Sequence, residues 1–113
     1  MKEYINYSDF ENVDIRVGTV VKAEEFRELK NPSMKLHIDF GQNIGIKKSS
    51  AKILKYYKPK EIEGRQIVAV VNFKPKQIGS FMSQVLVLGF PDDDSEPILI
   101  SPDFKVNNGE KLF

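Results

Sequence analysis

The chain has 113 residues, a formal net charge of +1 and no cysteine. That length suits one domain with one core, and the lack of thiols excludes disulfides, thiol nucleophiles and thiolate zinc sites. No apolar run reaches the roughly eighteen residues of a membrane-crossing helix, and Met1-Lys2-Glu3-Tyr4-Ile5-Asn6 lacks the apolar core of a signal peptide, so a cytoplasmic protein without membrane insertion is expected.

In chain order, an N-terminal extension (residues 1–7) precedes Ser8-Asp9-Phe10-Glu11, where Ser and a Glu three residues on fit a capping box that opens a short helical turn. Val13-Asp14-Ile15-Arg16-Val17 alternates apolar and polar, and Gly18-Thr19-Val20-Val21 prolongs the β-rich run. A glycine inside a strand marks a bulge or bend of the kind that closes a small barrel. Residues 24–33 are polar, with a loop signal at Asn31-Pro32-Ser33. The cleanest period of two runs from Met34 to Phe40: Met34, Leu36, Ile38 and Phe40 are predicted inward, and Lys35, His37 and Asp39 outward. After a turn at Gly41-Gln42-Asn43, Ile44-Gly45-Ile46 starts a short strand. Ser49 to Tyr57 predicts a helix with Ile53, Leu54 and Tyr57 on one face, ended by Pro59. Gln66 to Phe73 and Gln84 to Leu88 are near-continuous β-branched and apolar runs, read as strands buried on both faces. Asp92 to Pro97 is an acidic surface loop, Pro97 to Ile100 a last strand, and Asn108-Gly109 a turn. About six short strands with one or two short helices, and no strand–helix–strand rhythm, predict a mainly β domain. The expected architecture is an OB-fold, a small Greek-key barrel whose face commonly binds oligonucleotides.

Charge is unevenly placed. From Lys47 to Lys76 there are nine basic residues against Glu61 and Glu63, a net of +7 that leaves −6 for the rest of the chain. Such asymmetry suggests a basic patch, but charge alone favours a lysine-rich solvated surface, because clustering in sequence need not become clustering in space. Catalytic machinery is not expected. His37 is the single histidine, and alternation makes it an ordinary surface residue. Gly79-Ser80-Phe81-Met82-Ser83 lacks the spacing of a nucleophile elbow. No Walker loop or dinucleotide fingerprint occurs, and Asp92-Asp93-Asp94 lacks the glycine and terminal glutamate of a calcium loop. No catalytic residue, metal or cofactor is therefore assigned.

The segment from Asn72 to Gln84 carries the binding chemistry. Lys74 and Lys76 flank Pro75, so a stiff loop at the end of a buried strand presents two cations. Asn72, Ser83 and Gln84 add neutral donors and acceptors for a base edge or sugar. Phe73 and Phe81 have the rings to stack on an unpaired base. The core reading is preferred for Phe73, as a filler of the barrel's end; for Phe81 and Met82 the core and ligand readings stand level.

These residues carry a resemblance. Asp14-Ile15-Arg16-Val17-Gly18, Lys22-Ala23-Glu24, Lys35-Leu36 and Asp39-Phe40-Gly41 resemble the opening of the tRNA-binding domain family, which includes the C-terminal domain of bacterial methionyl-tRNA synthetases. Val71-Asn72-Phe73-Lys74-Pro75-Lys76, followed by Gly79, Ser83 and Val87-Leu88, resembles its later signature. The likeness covers residues 8–113, read as one tRNA-binding OB-fold domain. Gly45 to Ala51, Tyr57-Lys58-Pro59 and Val85 to Gly89 are similar to a stand-alone branch of the family, an export-related chaperone. The resemblance implies tRNA binding by shape and backbone; the +7 segment and the Asn72–Lys76 loop assign Lys47, Lys48, Lys74 and Lys76 to phosphates and Asn72 and Ser83 to sugars or base edges. For the stand-alone branch it implies a homodimer and an affinity for unfolded or pre-secretory polypeptides; the apolar rim Phe81-Met82 is read as the peptide contact. Lys47-Lys48-Ser49-Ser50 departs from an Arg and a Ser-Gly pair in synthetase-linked members, and Met82 from their Glu. The first change weakens bidentate phosphate recognition; the second makes the rim more apolar.

Overall fold

The computed structural model describes residues 1–113. Helix α1 (Tyr7–Glu11) opens the ordered fold. Its N-cap is Asn6 rather than Ser8, and the reaching carboxylate is that of Asp9, which accepts the Asn6 backbone N–H at 3.1 Å. The predicted turn is thus present, two residues earlier.

Strand β1 (Ile15–Phe26) is the spine of the barrel. It pairs antiparallel with β4 (Gln66–Val70) from Ile15 to Thr19, then with β2 (Ser33–Asp39) from Thr19 onward. The change of partner coincides with a register slip between Val20 and Lys22. The bulge therefore falls at Val21, not at Gly18; an extra residue adds local twist and bends the strand. Gly18 serves a different need. A Cβ there would lie 2.7 Å from Ile38 Cγ2 and 2.9 Å from the Asp39 carbonyl oxygen, so only glycine lets β2 cross this closely.

Strand β2 follows the predicted alternation, with Met34, Leu36, Ile38 and Phe40 all buried. It pairs with β3 (Ile46–Ala51), and β4 pairs with β7 (Leu86–Val87), giving the antiparallel order β3-β2-β1-β4-β7. The core lies inside this curled sheet: Val20, Leu36, Ile38, Phe40, Ile67 and Ala69, plugged by Ile53 and by Ile62 of α2 (Pro59–Ile62). Two further hairpins, β5 (Lys76–Ile78) with β6 (Phe81–Ser83) and β8 (Gly89–Pro91) with β9 (Pro97–Leu99), complete the strands. The architecture is the small OB-type barrel that the pattern predicts. No helix is long and apolar enough to cross a membrane.

The strand predicted over Gln66–Phe73 ends at Val70, and two further predicted elements differ. The helix over Ser49–Tyr57 does not form: residues through Ala51 belong to β3, and Ile53 to Tyr57 makes a single turn, with the Tyr57 N–H on the Ile53 carbonyl at 3.2 Å. The local periodicity loses to a long-range seam. The Gln84 N–H donates to the Lys48 carbonyl at 2.8 Å, the Lys48 N–H to Gln84 Oε1 at 2.9 Å, Ser49 Oγ to the Val85 carbonyl at 2.9 Å and the Ser50 N–H to Ser83 Oγ at 3.1 Å. This seam closes the barrel between β3 and the segment before β7. Pro59 opens a helix instead of ending one, in the first turn, where its missing N–H has no intrahelical partner to lose. The second difference is the run Gln84–Leu88. It is not a strand buried on both faces: the seam interrupts it, leaving Val85 buried and Leu86 half-exposed.

Candidate nucleic-acid interface

After Val70 the chain stays tied to β1 for one more residue, through the Val71 N–H on the Asp14 carbonyl at 2.8 Å. Asn72 then ends the tie. Its Oδ1 accepts the Asp14 N–H at 2.9 Å, and its Nδ2 donates to the Asn12 carbonyl at 2.8 Å. The amide predicted to read a base edge is therefore committed to the fold. It fixes the point at which Phe73-Lys74-Pro75 leaves the barrel.

That loop and the β5–β6 hairpin wall a groove of about 600 Å³. Phe73, Lys74, Lys76, Ile78 and Leu86 line its sides, and the seam residues Ser50, Ser83 and Gln84 form its floor. Lys74 and Lys76 pair with no carboxylate. The groove is thus partly apolar, and the two cations in its lining are uncompensated. Phe73, predicted as core, is 55% exposed, because Asn72 turns the chain outward one residue before it.

Phe81 exchanges roles with Phe73. It is 8% exposed, and its ring lies 6.0 Å from that of Phe26 and 6.2 Å from that of His37, both edge-on. Lys48 Nζ is 5.2 Å and Lys35 Nζ 5.5 Å from the same ring. The outer face of β2 is thus covered by the hairpin rather than by water. His37, predicted as a surface histidine, has its Nδ1 sealed without a hydrogen-bond partner. Phe81, expected as a peptide-contacting ring, is packed in the same way and offers little free surface. Met82, the next residue along the strand, points the other way and is 37% exposed.

The basic segment does not gather into one patch. Register places Lys48 opposite His37 and Lys47 opposite Ile38, so these neighbours face opposite sides of β3. Neither lines the groove. Lys55 pairs with Asp94 at 3.6 Å, and Arg65 sits over the Tyr57 ring at 5.5 Å. Of the predicted residues, Lys74, Lys76 and Ser83 come together, and Ser83 contributes from the floor, with its hydroxyl already holding Ser50. Ile78 and Leu86 are groove residues that sequence reading missed. For Leu86, a run that is apolar almost throughout gives no sign of which side chain the barrel leaves outside.

Shifted ionisable groups lie elsewhere. At the β8–β9 turn the Tyr56 hydroxyl donates to Asp92, which also accepts the Glu96 N–H. These bonds hold the Asp92 carboxyl below its ordinary value and raise the Tyr56 hydroxyl. The stabilisation is present at neutral pH and is lost as pH falls through the depressed Asp92 value. Arg27 likewise lowers Glu25 by a hydrogen bond at the end of β1.

A family model described as "Putative tRNA binding domain" matches residues 15–111. The methionine–tRNA ligase of Clostridium perfringens is 36% identical over 103 residues, which are 90% of this chain and 16% of the ligase. The curated relatives it matches are thus far longer, and the chain spans only 15–16% of their length. Among solved structures, the chaperone CsaA of Bacillus anthracis superposes with a TM-score of 0.92 at 46% identity, covering 98% of this chain and all of the other. The CsaA chaperone protein of Picrophilus torridus gives 0.90 at 45% identity, covering 97% of this chain and all of the other.

Proposed function

The chain belongs to the tRNA-binding domain family, and from that premise we propose that it is a cytoplasmic, non-catalytic module that binds tRNA through the groove beside Phe73, Lys74 and Lys76. The observation that carries the reading is the pair of unpaired cations on one wall of a groove that also exposes an aromatic ring. Phosphate oxygens take the cations; an unpaired base stacks on Phe73. Asn72 and Ser83 act by fixing the loop and the floor, while Lys47 and Lys48 extend the positive field on either side of β3. Filter binding of tRNA across a salt series tests this. Lys74→Gln with Lys76→Gln should weaken binding to all sequences and flatten the salt dependence by roughly one unit of slope per lost contact. No detectable binding of the native protein at low salt would sink the reading.

A second reading is a chaperone that holds unfolded or pre-secretory polypeptides. It is supported by the apolar exposure of Phe73 and Leu86 in the same groove and of Met82 on the other face of the β5–β6 hairpin, and by the likeness to two proteins described as chaperones. Adaptable apolar rims suit promiscuous recognition. In a client-aggregation assay, Met82→Glu should protect less than the native protein; equal protection would remove Met82 from the account.

The same chain is proposed to act as a homodimer. Tyr4, Ile5 and Tyr7 at one end and Leu112 and Phe113 at the other are all exposed, and exposed apolar side chains of this kind fit an interface. Sedimentation should show a species of twice the 12.9 kDa chain mass; a boundary at the monomer mass alone would refute it.

A further inference from the structure

We propose a second phosphate-binding site, formed by Arg65 and Lys105 at the opposite end of β4 from the groove, which restricts the RNA partner to one folded or long enough to reach both. The proposal rests on the reading of the groove as an RNA site.

A recess of about 340 Å³ lies where β4 begins, lined by Thr19, Gly64, Arg65, Gln66, Ser101 and Lys105 among others. Its lining holds two cations, no carboxylate and no aromatic ring. Neither Arg65 nor Lys105 makes an ion pair. Of the two carboxylates nearest in sequence, Glu63 is turned to the Ala23 N–H at 3.0 Å, and Asp103, two residues before Lys105, is outside the recess lining and pairs with neither cation. The Tyr57 ring lies 5.5 Å from the Arg65 guanidinium, within cation–π reach.

The recess is braced from below. Gln66 Nε2 donates to the Val106 carbonyl at 2.6 Å, Gln66 Oε1 accepts the Val106 N–H at 3.1 Å, and Ser101 Oγ donates to the Gln66 carbonyl at 2.8 Å. Lys105 is thereby anchored one residue from a fixed point. A guanidinium fork and an ammonium over a polar floor match phosphate oxygens. With no ring to stack a base, the site reads backbone and not sequence.

Spacing gives the consequence. The near-extended chain from Gln66 to Asn72 spans about 20 Å, so the two cation pairs cannot hold adjacent phosphates of one short strand. A tetranucleotide, at the lower limit of OB-fold site sizes, engages the groove alone. A folded tRNA offers phosphates at both places.

The test compares a tRNA transcript and a tetranucleotide by fluorescence anisotropy, for the native chain and for Arg65→Gln with Lys105→Gln. The double variant should lose about tenfold in tRNA affinity, the worth of two exposed charge contacts, with a shallower salt slope and unchanged tetranucleotide binding. Lys105→Glu, on an exposed loop, should show the same selectivity. Unchanged tRNA affinity in both variants overturns the second site, as does equal weakening of the two ligands. A native protein that binds neither RNA overturns the groove reading itself, a separate failure visible before any variant is made.

Discussion

Alanine at Phe73 is expected to weaken binding of unpaired RNA by about 1–3 kcal/mol, the range for one base–aromatic stack, while leaving thermal stability almost unchanged. Alanine at Phe81 is expected to do the reverse. The contrast follows from exposure, 55% for Phe73 and 8% for Phe81. Phe81 packs edge-on to Phe26 and His37 and lies beneath two lysine ammonium groups. Removing a buried phenyl ring costs about 3 kcal/mol or more, which in a domain of this size lowers Tm by over roughly 10 °C. The hairpin that carries Lys76 would also lose its anchor, so any loss of RNA affinity in Phe81→Ala should shrink when binding is measured well below the transition. Urea denaturation and anisotropy on the same two variants separate the roles. A stable Phe81→Ala that has lost RNA binding would return Phe81 to the ligand and sink the assignment.

The exchange between these two rings shows what the sequence makes legible. Period-two alternation identifies the inward face of β2 because each inward residue of that strand meets the same core. The glycine in β1 is flagged correctly as special, but not for its actual reason: the close crossing of Ile38 and Asp39 is a contact with another strand. Phe73 looks like core because a buried strand runs into it. Its exposure depends on Asn72, whose two bonds reach back 58 and 60 residues to Asp14 and Asn12. The same holds for Ser83 and Gln84. Polar side chains in a binding loop look like ligand readers, yet these two bridge 33 and 36 residues to close the barrel. The cations were legible because Pro75 and two flanking lysines are local. The long-range bonds were not, since no nearby residue reports them. The predicted helix at Ser49–Tyr57 fails for the same reason: a local i, i+3 pattern has no knowledge of the seam that claims Ser49 and Ser50.

Gly109→Ala is expected to cost about 3 kcal/mol, from left-handed backbone strain joined to a backbone collision. Its φ of +92° lies in the region that favours glycine, and an added Cβ would press on the Phe40 carbonyl oxygen, a backbone atom that cannot rotate away. The residue holds the C-terminal segment on the free edge of β1. The Gly109 N–H donates to the Val17 carbonyl at 2.8 Å, the Val17 N–H to the Glu110 carbonyl at 3.1 Å, and the Leu112 N–H to the Ile15 carbonyl at 2.8 Å. Arg16 Nη1 adds a bond to the Gly109 carbonyl at 2.9 Å, its guanidinium braced by Asp14 at 2.6 Å. The variant can relieve its strain in two ways. It can keep the segment docked and lose global stability, which lowers the urea midpoint. Or it can release the segment, which frees the Val17 and Leu112 amides and speeds their hydrogen exchange while the barrel persists. Release is favoured, because the collision is confined to one carbonyl and the segment's bonds lie at an edge. Leu112 and Phe113 ride on the same segment, so release should also weaken the proposed self-association. An unchanged midpoint together with unchanged exchange at Val17 and Leu112 would show that alanine fits where the geometry says it cannot.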